Sequence, residues 1–191
     1  MLEKLIDFDK ELLVFLNNLG APTFDGLWLI ITKQYNWIPL FLFVFYLLQK
    51  KIGWKNFGYY VLFTAILILI CDQTTNLFKY TFERLRPCND PDVQDLLRIY
   101  WKKSKSFSYF SGHAANSMAS TVFGFLILRR HYKYAFLLFL FPLIFAYSRI
   151  YLGLHFPLDV LSGYIFGGIC GVFAFKLYQK YVLNNTNLQN S

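Results

Sequence analysis

With 191 residues, of which 56% are hydrophobic and 21% aromatic but only 16% charged, the chain is far from the composition of a soluble domain and reads as one membrane-embedded unit. Its formal charge of +8 sits mostly between or beside the apolar runs, where Lys and Arg act as interface anchors, so charge alone is no argument for nucleic acid as a partner. Cys71 and Cys170 fall inside apolar runs and Cys88 stands alone in a polar stretch, a spacing that offers no disulfide framework.

In chain order, Leu2, Leu5, Ile6, Leu12, Leu13 and Leu16 recur at helical spacing opposite Glu3, Lys4, Asp7 and Lys10. This pattern predicts an amphipathic helix over 1–19, either lying on the bilayer surface or docked on the protein's own bundle. It lacks the basic start and uninterrupted apolar stretch of a cleavable signal peptide. Residues 24–32 are apolar but too short to span, Lys33-Gln34-Tyr35-Asn36 interrupts, and 37–48 continues with Pro39 near its start. These pieces count as one kinked or partly re-entrant span, with a separate crossing of the first piece as the alternative. The runs 57–78, 111–128, 134–150 and 157–178 each come near the roughly 20 apolar residues that a bilayer core requires of a helix.

The expected fold is therefore all-α, a polytopic membrane bundle of five to six transmembrane helices with an N-terminal amphipathic helix. A single domain covers 1–183, with an extramembrane loop at 88–110 and a polar tail, 184–191, expected to be disordered. Five spans bring Lys50, Lys51, Lys55, Arg129, Arg130, Lys133, Lys176 and Lys180 to one side, which the positive-inside tendency makes cytoplasmic. The opposite side receives the 88–110 loop and the 149–156 turn. Both are also basic, so this orientation rests on their charges serving a substrate.

Three clusters carry chemistry. In the first, Asp72, Lys79 and Arg86 are seven apart, so a helix continuing to Pro87 would stack them on one face. Cations at that border can bind phosphate or merely snorkel to headgroups. Asp72 inside a span is a functional candidate, although a bond to Asn76 or water explains it as well. In the second, Ser111-Gly112-His113 opens a helix whose unpaired N–H groups suit an anion, against a plain reading of Ser111 as N-cap and His113 as an interfacial histidine.

The third cluster runs from Ser148-Arg149 through five residues to His155 and three more to Asp159. A fixed cation, an imidazole and a carboxylate at a span boundary are costly unless something uses them. His155 can attack phosphorus through one ring nitrogen if the other is held as a donor, and Asp159 can accept that proton once the chain turns helical at Pro157. Arg149 supplies a planar donor fork for phosphate oxygens. Because the spans alternate in direction, Arg86, His113, Arg149 and His155 meet at one membrane face.

Lys79 with six residues to Arg86-Pro87, then Ser111-Gly112-His113, then Ser148-Arg149 with its spacing to His155 and Asp159, resembles the tripartite signature of the type 2 phosphatidic acid phosphatase superfamily. The resemblance implies an integral membrane lipid phosphatase that needs no metal or other cofactor. It implies catalytic roles for His155 as nucleophile, Asp159 as its orienting partner and His113 as the acid for the leaving group. Lys79, Arg86, Ser111, Gly112 and Arg149 would form the phosphate cradle. Candidate substrates are polyprenyl diphosphate, phosphatidylglycerophosphate, phosphatidic acid and a phosphorylated lipid A, met at the non-cytoplasmic face of a cytoplasmic membrane. A phosphotransferase using the same intermediate, or a non-catalytic carrier of lipid phosphates, are the rival readings.

One position departs from the family pattern, in which the second motif usually begins with proline. This chain has Phe110, and the expectation is altered substrate access rather than lost activity. Tyr100, Trp101, Phe107 and Tyr109 among the charges of the 88–110 loop fit either a lid or a solvated connection. Gly163, Gly167 and Gly171, four apart, predict a close helix-packing face. His131 reads as a solvated interface residue.

Overall fold

Helices make up all the regular structure among the described residues of the computed structural model, which are 2–98 and 105–184. Helix α1 is Leu2–Asn18 and α2 is Pro22–Ile31, followed by a 3-10 turn at Gln34–Trp37. Helix α3, Ile38–Phe82, is two arms joined at Gly53, where φ 73° and ψ 167° lie in a region that only glycine adopts without strain. Helices α4 (Gly112–Leu128), α5 (Leu140–Tyr151, led in by a 3-10 turn at Ala135–Phe139) and α6 (Pro157–Tyr178) complete the bundle. The 34–96 and 157–183 stretches each contain a helix long and apolar enough to cross a bilayer, while Pro22–Ile31 and Ala135–Tyr151 are apolar but shorter.

The bundle is organised around α4, which packs against α3, α5 and α6. The glycine spacing in α6 predicts close packing, and its backbone does approach α4 closely. A Cβ on Gly167 would lie 2.2 Å from the Ala115 carbonyl oxygen, one on Gly163 2.6 Å from that of Ser111, and one on Gly171 2.6 Å from that of Ala119. Small residues on both helices allow this contact, which supplies van der Waals attraction where lipid removes any hydrophobic drive between helices. Away from it, Tyr60, Phe123 and Tyr178 form an aromatic core joining α3, α4 and α6, with the Tyr60 and Phe123 rings 4.8 Å apart.

The 24–48 region is interrupted where the sequence predicts, with α2 and α3 separated by the Gln34–Trp37 turn; Lys33 is extended, and the Asn36 and Trp37 side chains donate to the Ile30 and Ile31 carbonyls that close α2. Two other expectations need correction. Helix α3 does not run to Pro87. It ends at Phe82 because Glu83 adopts the left-handed conformation (φ 47°), and the chain is extended when it reaches Arg86. Asp72 and Lys79 share the helix, but Arg86 approaches the site from a loop. Asp72 accepts from Asn116 Nδ2 at 2.6 Å, not from Asn76, so it is a cross-helix tie between α3 and α4.

Helix α1 docks on α5 and α6 through Asp9, Leu13 and Asn17, which recur every four residues and are fully buried. Leu5, Ile6, Phe8 and Phe15 point outward from it, so one helix joins the protein and leaves an apolar face for lipid. Asn17 donates to the Tyr151 carbonyl at 2.7 Å and accepts from the Arg98 N–H at 2.9 Å. Arg98 in turn grips Asp25 of α2 with both fork nitrogens, and the Tyr151 hydroxyl donates to the same carboxylate. The first part of the 88–110 loop is therefore packed, with Cys88, Val93 and Leu97 buried. Tyr100, Trp101, Lys102 and Lys103 of the lid reading, and 185–191 of the tail, lie outside the described residues.

Candidate active site

Pro157 sets the first turn of α6, and Asp159 in that turn accepts the Phe156 N–H at 2.9 Å. This carboxylate-to-backbone bond satisfies one of the helix's unpaired donors and places negative charge at the positive end of the helix dipole. It also fixes the Asp159 rotamer beside His155, four residues earlier. His155 Nδ1 lies 3.5 Å from Asp159 Oδ2 and 3.4 Å from Ser108 Oγ, and the Ser108 hydroxyl itself donates to Asp159. The serine oxygen thus has a lone pair facing the imidazole while its proton faces the carboxylate.

On the other ring nitrogen, Nε2, Arg86 Nη1 approaches to 3.3 Å. A guanidinium can only donate, so Nε2 is the unprotonated nitrogen and Nδ1 carries the hydrogen. Arg86 is itself buried and clamped by the Leu154 carbonyl at 3.0 Å, the Ser106 carbonyl at 3.0 Å and the Ser106 hydroxyl at 2.9 Å. The His155 imidazole is 1% exposed. Burial first, then the charges of Arg86, Arg149 and Lys79, hold its pKa well below the usual histidine range.

Ser111 caps α4, its hydroxyl accepting from the Ala114 N–H, and its own N–H donates to the Asp159 carbonyl at 3.0 Å. The start of α4 is therefore tied to the start of α6, with Gly112 against the Thr75 side chain of α3. His113 stacks on Phe145 with ring centroids 5.2 Å apart. Lys79, Arg86 and Arg149 are all near enough for their charges to act on both His113 and His155. Arg149 donates from Nη1 to Thr32 Oγ1 at 2.7 Å, while its buried Nε has no hydrogen-bond partner.

The structure thus brings together all eight residues singled out from the sequence: Lys79, Arg86, Ser111, Gly112, His113, Arg149, His155 and Asp159. Two imidazoles and three cations within electrostatic reach of one another, with one imidazole unprotonated at Nε2, are suited to nucleophilic attack on a phosphoryl centre.

Residues 56–183, well over half of the chain, match the PAP2 superfamily. The chain belongs to that superfamily. It is 34% identical over 174 residues to a lipid A 4'-phosphatase of Bacteroides thetaiotaomicron, covering 90% of this chain and 77% of that one. A lipid A 4'-phosphatase of Porphyromonas gingivalis is 31% identical over 93% of this chain and 75% of its own length. An undecaprenyl-diphosphatase of Sulfolobus acidocaldarius is 30% identical over 86% and 76% respectively. In fold, this PAP2 chain resembles the transmembrane PAP2-type phosphatidylglycerolphosphate phosphatase of Bacillus subtilis, with TM-score 0.72 over 93% of this chain and 88% of that one at 18% identity. Aquifex aeolicus LpxE superposes with TM-score 0.63 at 27% identity, covering 87% of this chain and 93% of that one.

At the position where the superfamily pattern has proline, Phe110 is buried between Phe78 of α3 and Phe166 of α6, 5.2 Å from each ring. Its side chain packs the two helices together. The sequence reading missed Ser108, Ser106, Arg84, Asp9 and Thr32. Two of them left a signal: Arg84 stands between Lys79 and Arg86, and Asp9 is a carboxylate in register with Leu13 on a helix face.

Proposed function

We propose that this PAP2 protein is a membrane lipid phosphatase that removes the terminal phosphate of an amphiphile through a phosphohistidine at His155, with no metal ion in the reaction. The observation that carries this reading is the two-sided hold on His155, with Nδ1 facing Ser108 and Asp159 and Nε2 facing Arg86. In the first step Nε2 attacks phosphorus, the N–P bond forms and the P–O bond to the lipid breaks, with His113 giving a proton to the departing oxygen. Arg86, Arg149 and Lys79 offset the charge on the remaining phosphoryl oxygens. Water, deprotonated by His113, then attacks the phosphohistidine and releases phosphate.

For the substrate we infer a glycolipid phosphate of the lipid A type, on the strength of two relatives of that activity at 34% and 31% identity. A polyprenyl diphosphate is the second reading, favoured by the undecaprenyl-diphosphatase relative. An apolar groove of about 330 Å³, lined by Phe41, Tyr60, Gly124 and Phe141 among others, supports a lipid tail. Its wall residue Phe141 stacks on Phe145, which stacks on His113, so the groove lies two rings from the site. We further propose five to six membrane crossings, with the site on the non-cytoplasmic face. The Lys and Arg residues at 50–55, 129–133 and 176–180 would then lie inside.

The test is phosphate release by purified protein from lipid A, undecaprenyl diphosphate, phosphatidylglycerophosphate and phosphatidic acid, with and without chelator and with an added lipid acceptor. Release from lipid A that survives chelation is expected. Transfer to the acceptor without release would make the protein a phosphotransferase, and binding without turnover would make it a carrier.

A further inference from the structure

The catalytic carboxylate has a second partner that no motif contains. Arg84 Nη1 donates to Asp159 Oδ1 at 2.8 Å, and Arg84 Nη2 donates to Asp9 Oδ2 at 2.6 Å. Both carboxylates are fully buried. The other oxygen of Asp9 accepts the Leu158 N–H at 2.9 Å, so Asp9 and Asp159 each cap the first turn of α6 and share one guanidinium between them. The face of that guanidinium rests on the Phe156 ring, 3.9 Å from its centroid. Both Asp159 oxygens are thereby held, Oδ1 by Arg84 and Oδ2 by Ser108 and the Phe156 N–H.

The arrangement has an electrostatic side. Two carboxylates this close would not both stay ionised in a buried site unless a cation sat between them. A protonated Asp159 would be a weaker acceptor for Ser108 and His155, and the imidazole would have less reason to keep the hydrogen on Nδ1. Arg84 is planar and presents a fork that reaches both carboxylates at once, which lysine cannot.

We propose that Arg84 and Asp9 are positioning residues for the reaction, forming with Asp159 a buried carboxylate–guanidinium–carboxylate chain through which α1 sets the orientation of His155. The inference rests on the phosphatase reading for its kinetic consequence, but its structural consequence stands apart. It makes α1 part of the active site.

The test uses the full chain with 15N-labelled histidine. Its three histidines, His113, His131 and His155, give three sets of imidazole signals, assigned by single substitutions. The same preparations are assayed on lipid A. Asp9→Asn keeps the shape of the side chain, and Arg84→Gln and Arg84→Lys alter the bridge. We expect kcat to fall about 10- to 100-fold in Asp9→Asn and Arg84→Gln with KM changed less than about threefold, the range seen when groups behind a catalytic ligand are lost. We also expect the His155 signals to move, and Arg84→Lys to recover part of the loss. Asp25→Asn, which breaks the Arg98 clamp, serves as comparator and should lower Tm while the His155 signals stay in place.

Unmoved His155 signals with kcat within about twofold in Asp9→Asn would overturn the proposal and leave the chain a tether for α1. Should Arg84→Gln not fold, Asp9→Asn and Arg84→Lys decide the matter alone. If the wild type releases no phosphate from lipid A yet the His155 signals move in Asp9→Asn, the positioning chain stands and the proposed substrate class fails instead.

Discussion

The two ends of the bundle differ in the charges they hold: every Asp and Glu lies outside 50–55, 129–133 and 176–180, where Lys and Arg carry all the charge. At the end where α3 stops and α4 and α6 begin, the charges are matched and partly or fully buried: Asp9 and Asp159 bracket Arg84, Arg86 is clamped by two carbonyls and a hydroxyl, and Arg98 grips Asp25. At the other end, Lys51, Arg129, Arg130, Lys133 and Lys180 lie over the rings of Tyr132, Phe125, Phe175, Tyr134 and Tyr181. Among the described residues every ion pair belongs to the first end. Buried charge requires specific partners and therefore specifies geometry, whereas an exposed cation beside a ring keeps its water and needs no fixed partner. The first end fixes the geometry of its charges and the second does not.

Substitutions at the two ends should differ accordingly. His155→Ala is expected to lower kcat/KM by at least about 10⁴-fold, as for loss of a nucleophile, measured as phosphate release from lipid A. His113→Ala should cost about 10²- to 10⁴-fold on the lipid. The loss should be much smaller in the first step with p-nitrophenyl phosphate, whose leaving group needs no acid, as read from the burst of nitrophenolate.

Gly167→Ala tests the joint between the ends, because its Cβ would meet the Ala115 carbonyl at 2.2 Å. A loss of about 1–3 kcal/mol of stability is expected, read as a lowered Tm. A subtler effect should follow from Arg86→Gln. Arg86 is the strongest of the charges that hold the His155 pKa down, so neutralising it lets that pKa rise, and the acid limb of kcat/KM should move to higher pH. Arg129→Ala and Lys51→Ala, at the anchoring end, should leave kcat/KM within about twofold and stability within about 0.5 kcal/mol. A large catalytic loss there would break the contrast between the ends.

The sequence made the site legible because its eight residues lie in short runs whose spacing is set by one helical turn or one loop. His155 and Asp159 are four apart across a Pro157 start, and Ser111, Gly112 and His113 are consecutive. The glycine face of α6 was legible for the same reason. What stayed hidden depends on contacts between segments far apart in the chain. Nothing near Asp9 announces that it meets Arg84, 75 positions later, and nothing near Ser108 announces Asp159, 51 positions later. Glu83 was missed because left-handed backbone at a glutamate has no residue-type signal. Its effect was large, since it moved Arg86 off α3 and into the loop that reaches His155.

The most direct test of the central claim, that His155 is the nucleophile, is to catch its phosphoryl form. His113→Ala mixed with ³²P-labelled p-nitrophenyl phosphate should form the adduct without an acid and hydrolyse it slowly for want of a base. After a rapid alkaline quench, the label should sit on the peptide carrying His155, acid-labile and base-stable, in near-equal amount to the enzyme. Burst release of nitrophenolate with no label on His155 would contradict the account.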